Sequence, residues 1–375
     1  MSQRPAWRSP VNLALLLFLS MVAVGVLVSP LPRRSLDALG PLALGIALYL
    51  LLGKLPLGQQ RRERLLRLAP WLLALLGGAL GLVGVLGMLP AHHFLFRRLP
   101  PLARLQGYLP VTFNPNVIAG AMVVLFPFPW SLALAANADR PGRAWAQRLL
   151  AAALGAILLG VIALSGSRGG YLAVAVMLAL LLALRWPSVG KWGLIVALLG
   201  ALVGGTAVGW QKIMGELLLN TTIGGLDARL EIWSRALTIV SDFPFTGVGL
   251  GCFQEIVAHM YPLFLIPAGT VTHAHNLFLQ VAIDLGLPGL LAYLVLVGWA
   301  CYELLAALRA GRREPWAEAR LLAAACLTSL AGMAAHGLLD AAVWDNKGAF
   351  LPWVVMGLAA SIYRYYQQRD SAPGG

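Results

Sequence analysis

The run VNLALLLFLSMVAVGVLVS, Val11 to Ser29, holds nineteen residues without a single charge. A helix of about 20 residues crosses the roughly 30 Å hydrocarbon core of a bilayer, so this run reads as a membrane span. Stretches of the same character follow at about 36–53, 69–90, 115–135, 147–165, 168–184, 191–209, 276–306, 319–341 and 348–363. The chain is 59% hydrophobic and 11% charged, too little polar surface for a water-soluble globule of 375 residues. The expected fold is all-α: a polytopic integral membrane protein with about ten transmembrane helices. No cleavage site of small residues follows the first run and another span comes at once, so that run is expected to be an anchor and not a removable signal.

A net charge of +13 would suit nucleic acid, but the Lys and Arg residues are scattered between apolar segments and do not cluster with aromatics on a soluble domain. The positive-inside rule accounts for them better. With both termini in the cytoplasm, eighteen of the 28 basic residues fall inside, Arg61, Arg62, Arg64 and Arg67 among them. The expected organisation is a single membrane domain, 1–375, with a long helical outer loop, 210–275, between spans seven and eight. In that loop Glu216, Asp227, Glu231, Asp242 and Glu255 outnumber the three bases. Cys301 and Cys326 fall within spans and only Cys252 lies outside, so no disulfide framework is implied.

In this topology the unusual polar groups gather on the outer face. Ser165-Gly166-Ser167-Arg168-Gly169-Gly170 joins two spans with almost no loop. Glycines permit the reversal and Ser167 can cap the next helix. A helix N-terminus with a guanidinium suits phosphate oxygens, although Arg168 can equally snorkel or meet a lipid headgroup. From Leu226 to Ser241 an apolar stripe of Leu226, Leu230, Trp233, Leu237 and Val240 has helical spacing. On that wheel Arg235 points away and looks solvated, while Arg229 lies at the edge. Arg229 can lean toward the site or pair with Asp227 or Glu231.

The loop ends in His273-Ala274-His275-Asn276, where it meets a span. Here a histidine can accept a proton from a hydroxyl, Asn276 can cap the helix or bond a sugar, and a structural role or a metal remain alternatives. The i, i+2 spacing would set His273 and His275 on different faces of a helix, and no Asp-x-Asp pair occurs outside, so no metal is expected. His336 and Asp340 stand four apart near the outer end of the ninth span, where they can form an orienting pair or a plain interhelical hydrogen bond.

These residues resemble the O-antigen ligase and O-antigen polymerase superfamily. The resemblance rests on an ordered series over about 110–345. It comprises Ser165 to Gly169, Arg229 with Trp233 four later, Pro244-Phe245-Thr246-Gly247-Val248-Gly249-Leu250-Gly251, and His275-Asn276 followed by Gly286-Leu287-Pro288-Gly289. Asn114-Pro115-Asn116 and His336 to Asp340 also fit. The resemblance implies a glycosyltransferase of the cytoplasmic membrane with its active site facing the periplasm. It would move a glycan from an undecaprenyl-diphosphate carrier to an acceptor glycolipid or glycan, lipid A-core in the ligases, by inverting displacement without nucleotide, metal or other cofactor. His275 matches the proposed catalytic histidine, and Arg168 and Arg229 match the arginines that hold the diphosphate. His273, Asn276, His336, Asp340 and Ser167 would support the site or position the acceptor. The chain is short for the family, which usually has about twelve spans.

Within the class, a polymerase or a transferase to another acceptor shares these motifs. A lipid-linked glycan transporter would instead call for ionisable groups at mid-membrane depth and paired broken helices.

Overall fold

The computed structural model describes residues 9–88, 113–135, 141–186, 226–267, 269–311 and 318–370. Twelve helices occupy them: α1 (Pro10–Leu27), α2 (Pro32–Lys54), α3 (Gln59–Met88), α4 (Pro115–Leu125), α5 (Pro127–Leu134), α6 (Pro141–Leu164), α7 (Arg168–Arg185), α8 (Leu226–Asp242), α9 (Phe253–Met260), α10 (Leu277–Ala310), α11 (Glu318–Gly337) and α12 (Leu351–Asp370). Among the described residues there is no strand. The all-helical membrane architecture is thus the observed one.

Among the described residues seven helical segments are long and apolar enough to cross a membrane: α1, α2, α3, α4 with α5, α6, α10 and α11. The expected span at 168–184 forms the shorter apolar helix α7. The one at 348–363 forms α12, whose last turns carry Arg364 and Arg369. The expected span at 191–209, the beginning of the long loop at 210–225 and most of the 90–116 loop lie outside the described residues.

The chain divides into two compact units. The first comprises Met1–Gly40, Leu178–Leu296 and Gly337–Asp345; the second comprises Pro41–Met177, Val297–His336 and Asn346–Gly375.

In the first unit, α1 starts at Ser9, whose hydroxyl accepts from the Asn12 amide, with Pro10 at the first helical position. Phe18, fully buried on α1, meets Tyr293 and Trp344, each at a ring separation of 6.3 Å, and those two rings lie edge to face at 5.6 Å. The loop helices form a core of their own, in which Ile232, Ala236 and Ile239 of α8 pack with Cys252, Phe253, Ile256 and Val257 around Ala274 and Ile283. The buried face of α8 is therefore rotated from the expected stripe: Leu230 and Leu237 are exposed. Ile232, Ala236 and Ile239 fill the core with α9 and Ala274, and Trp233 and Val240 of the expected stripe pack against it. Arg229 lies toward this packed side. Arg235, expected to be solvated, instead stacks over the Phe264 ring at 5.3 Å.

Helix α10 breaks at Gly286 (φ 70°, ψ 176°). The break is closed by the Pro244–Gly251 turn. Val248 N–H donates to Ile283 C=O at 2.8 Å, and Leu287 N–H, released from the helix, donates to Pro244 C=O at 2.7 Å. A membrane helix needs every backbone group satisfied, and the turn supplies the partners the break removes. The turn approaches so closely that a Cβ at Gly247 would lie 2.5 Å from the Ile283 oxygen. These glycines serve packing, in agreement with the absence of a phosphate-loop Lys.

In the second unit, α3 packs against α4, α5, α6 and α12. Its buried seam is Gly77, Gly78, Gly81, Gly84 and Gly87. A Cβ at Gly78 would stand 2.7 Å from a Leu154 methyl, and one at Gly84 2.8 Å from Ile118. Small residues let helices approach where lipid is as apolar as leucine. The fourth span is split, α4 opening with Asn114 as its cap and Pro115 at the first position, and α5 starting at Pro127.

Candidate active site

The site assembles where the loop core of the first unit meets the start of α10. Asn276 caps that helix: its side-chain oxygen accepts from the amides of Phe278 and Leu279, each at 3.0 Å, and its NH2 donates to Leu338 C=O at 3.2 Å. The residues before it are not helical. His275 has φ 47°, the left-handed region, so the chain reverses there. The two imidazoles, expected on different faces, therefore turn the same way, with ring centres 4.4 Å apart.

Both converge on Asp340. His273 Nε2 lies 3.1 Å from Oδ1 and His275 Nδ1 lies 3.1 Å from Oδ2. Asp340, expected one turn beyond His336 on the same helix face, lies past the end of α11 at Gly337. There the chain packs on Leu277, and a Cβ at Gly337 would stand 3.0 Å from that side chain. The segment beyond this contact carries Leu338 to Asn276 and Asp340 to the histidines.

The proton positions follow from chemistry. An ionised carboxylate only accepts, so His275 donates from Nδ1 and, when neutral, keeps the Nε2 lone pair for a substrate proton. His273 donates from Nε2 and accepts at Nδ1 from the Thr272 hydroxyl, 2.9 Å away. Burial works to raise the Asp340 carboxyl, but the bonds from His273 and His275 outweigh it and hold the group below the usual carboxylate range. Burial lowers His275 first. The bond to Asp340 opposes it, while the charges of His273 and Arg229 add to the lowering. The net shift is downward, toward the neutral imidazole, and the buried Asp340 anion fixes its orientation.

Arg229, on α8, is half-buried and lies close enough for its charge to act on His275. Helix α8 is also tied to the histidine loop directly, through Trp233 Nε1 donating to Ala274 C=O at 3.1 Å. Glu231 is occupied elsewhere, accepting from the Phe264 and Leu265 amides at 2.5 and 3.0 Å.

Ser167, Arg168 and His336 belong to the second unit. Gly166 (φ 64°) makes the reversal, Ser167 Oγ accepts from Gly170 N–H at 3.2 Å, and Arg168 opens α7. Buried His336 holds Nε2 3.5 Å from Ser167 Oγ and presses on Gly169, where a Cβ would lie 3.3 Å from the ring.

The donor atoms of His273, His275 and Asp340 lie within 4.8 Å of one another, a set that could ligate a divalent cation through two imidazoles and a carboxylate. The same atoms satisfy one another as hydrogen bonds. Sequence reasoning missed Thr272, Gln280, Asp284 and Trp344. The polar series Asn276, Gln280, Asp284, one helical turn apart in an apolar span, was the signal available for Gln280 and Asp284.

Residues 152–294 match the family model described as O-Antigen ligase. This segment, which is similar to that family, contains Ser167, Arg168, Arg229, His273, His275 and Asn276. The match supports a glycosyltransferase-like membrane enzyme of the ligase or polymerase type. Among curated proteins none matches the chain.

Proposed function

We propose that the protein transfers a glycan from an undecaprenyl-diphosphate carrier to a sugar hydroxyl of an acceptor glycolipid, lipid A-core in the ligase reading, at the outer face of the cytoplasmic membrane. The observation that carries this reading is the Asp340 carboxylate bridging two histidines, which leaves His275 Nε2 as a proton acceptor. The acceptor hydroxyl is placed against Nε2 and its oxygen attacks the anomeric carbon. The bond from that carbon to the diphosphate oxygen breaks, its electron pair leaves with undecaprenyl diphosphate, and the hydroxyl proton passes to His275. One displacement inverts the anomeric centre.

The leaving diphosphate gains charge as it departs. Arg229 supplies a cation beside the histidine, and Arg168, matched by the resemblance, has the same task. His273 shares Asp340 with His275, and Asn276 fixes the helix start from which both histidines hang. The 210–275 loop carries part of the site and faces outward, with both termini in the cytoplasm as the charge distribution requires. The diphosphate charge is met by guanidinium groups, so the chemistry runs without a metal. His336 and Ser167 support the turn before α7.

Purified protein in lipid nanodiscs, given a tritiated undecaprenyl-diphosphate-linked glycan from host membranes, is expected to form a covalent product with lipid A-core. A second carrier-linked glycan as the better acceptor would make it a polymerase. Transport without a covalent product would make it a carrier. His275→Ala is expected to abolish transfer in a protein that remains folded; retained activity would remove His275 from the reaction.

A further inference from the structure

We infer that Gln280 and Asp284 are positioning residues that set the direction of the His275 imidazole through the backbone of Ala274. The inference rests on the proposed role of His275 and deepens it.

His275 adopts a left-handed conformation that a residue with a side chain holds only when its surroundings impose it. The restraint falls on the residue before it. Ala274 is fully buried; its C=O takes the Trp233 indole N–H at 3.1 Å and its N–H donates to Gln280 Oε1 at 2.8 Å. Gln280 in turn donates from Nε2 to Asp284 Oδ1 at 3.0 Å, and Trp344 Nε1 donates to Asp284 Oδ2 at 2.8 Å. Both Gln280 and Asp284 are fully buried.

The direction of this chain is fixed. The Ala274 amide and the Trp344 indole can only donate, so Gln280 must offer its oxygen to Ala274 and its nitrogen to Asp284. Asp284 is the terminal acceptor that keeps the Gln280 amide from reversing. It also stands two residues before the break at Gly286, at the negative end of its helix segment, where an acid is poorly placed for helix stability. Burying a carboxyl and an amide in a membrane span is costly unless they are bonded, and these bonds converge on the loop that carries the histidines.

Two substitutions follow from the direction of the bonds. Gln280→Met fills the same space without a partner for the Ala274 amide. Gln280→Glu can accept from Ala274 but reaches Asp284 only through a shared proton, so its hold on the loop is lost as pH rises and two carboxylates face each other.

The test uses the full chain in nanodiscs with 15N-labelled histidine, the His275 signals being assigned by their loss in His275→Gln. The wild-type protein is expected to show a protonated Nδ1 and an unprotonated Nε2. Gln280→Met is expected to give a mixture of tautomers, and Gln280→Glu the wild-type pattern at low pH and the mixture at high pH. Transfer of the tritiated carrier-linked glycan should fall about 100-fold in kcat for Gln280→Met, the scale of a misplaced catalytic group, with donor KM within about twofold. Should Gln280→Met not fold, the pH response of Gln280→Glu decides. His275 signals that stay wild-type in these variants, with normal kcat, overturn the inference. The proposed reaction fails separately, if His275→Ala itself retains transfer.

Discussion

Replacing Asp340 by Asn tests the site most directly, because it removes a charge and one acceptor while keeping the shape. The carboxamide of Asp340→Asn has a single carbonyl oxygen for two histidines. The arrangement can still adapt. If the oxygen turns to His275, the NH2 faces His273 Nε2, and His273 can reverse its tautomer and donate from Nδ1 to the Thr272 hydroxyl, 2.9 Å away. The productive tautomer of His275 is then kept, and what is lost is the anion that stabilises the imidazolium formed as the acceptor proton arrives. A hydrogen bond to a charged group is worth about 1.5–3 kcal/mol, which converts to a loss of about 10- to 200-fold in kcat. Asp340 is 2% exposed, so solvent does little to screen the effect. The loss should fall short of the roughly 10⁴-fold seen when such a substitution strands a histidine in the wrong tautomer. The pH profile adds a signed expectation. A base works above its pKa and fails as pH falls through it. Asp340 raises the His275 pKa against the lowering by burial, so the acid limb should move to lower pH in the variant while the plateau drops. The assay is initial-rate transfer of the tritiated carrier-linked glycan in nanodiscs from acid to mildly alkaline pH. An unchanged plateau, a loss near 10⁴-fold, or an acid limb moving upward would refute the reasoning.

Arg229→Ala removes a charge that lowers His275, so the acid limb should move to higher pH while donor KM rises; a pH-rate profile at several donor concentrations separates the two effects. A strong chelator should leave transfer intact, whereas added zinc should inhibit by capturing His273, His275 and Asp340; loss with chelator and recovery with zinc would install a metal in their place. Gly286→Ala must place a Cβ 2.6 Å from the Phe245 carbonyl at φ 70°, and should cost about 1–3 kcal/mol, read as a lower melting temperature of the solubilised protein. The Asp345 carboxyl is pushed up to about 6 chiefly by burial, with His273 and Arg34 opposing and Glu255 adding to the rise. Such an acid favours the folded state at low pH and loses that contribution as pH rises through about 6, so Asp345→Asn, also suited to φ 51°, should raise the melting temperature above that pH.

Helix α8 was legible as a helix but not in its facing. Leu230 and Leu237 belong to the stripe that spacing picks out, yet Ile232, Ala236 and Ile239 are buried, because the face is chosen by what α9 and the histidine loop pack against and not by the helix itself. Asn276 could be read as a cap because capping is local. His273 and His275 were misjudged as opposed because their facing depends on a φ that no spacing rule supplies.

The sequence by itself determined that the chain crosses a membrane, since hydropathy is summed over neighbours along about twenty residues and needs no partner. It also determined which polar residues stand out from the apolar background: His273, His275, Arg168 and Arg229. Only the tertiary structure decided what Asp340 does. Four residues from His336 it would have been a helical neighbour; with α11 ended at Gly337 it becomes the common acceptor for two histidines 65 and 67 positions away. The physical reason is the same for Gln280 and Asp284. A buried polar group is stable only where donors and acceptors from distant segments close upon it, and that closure exists only in the folded chain.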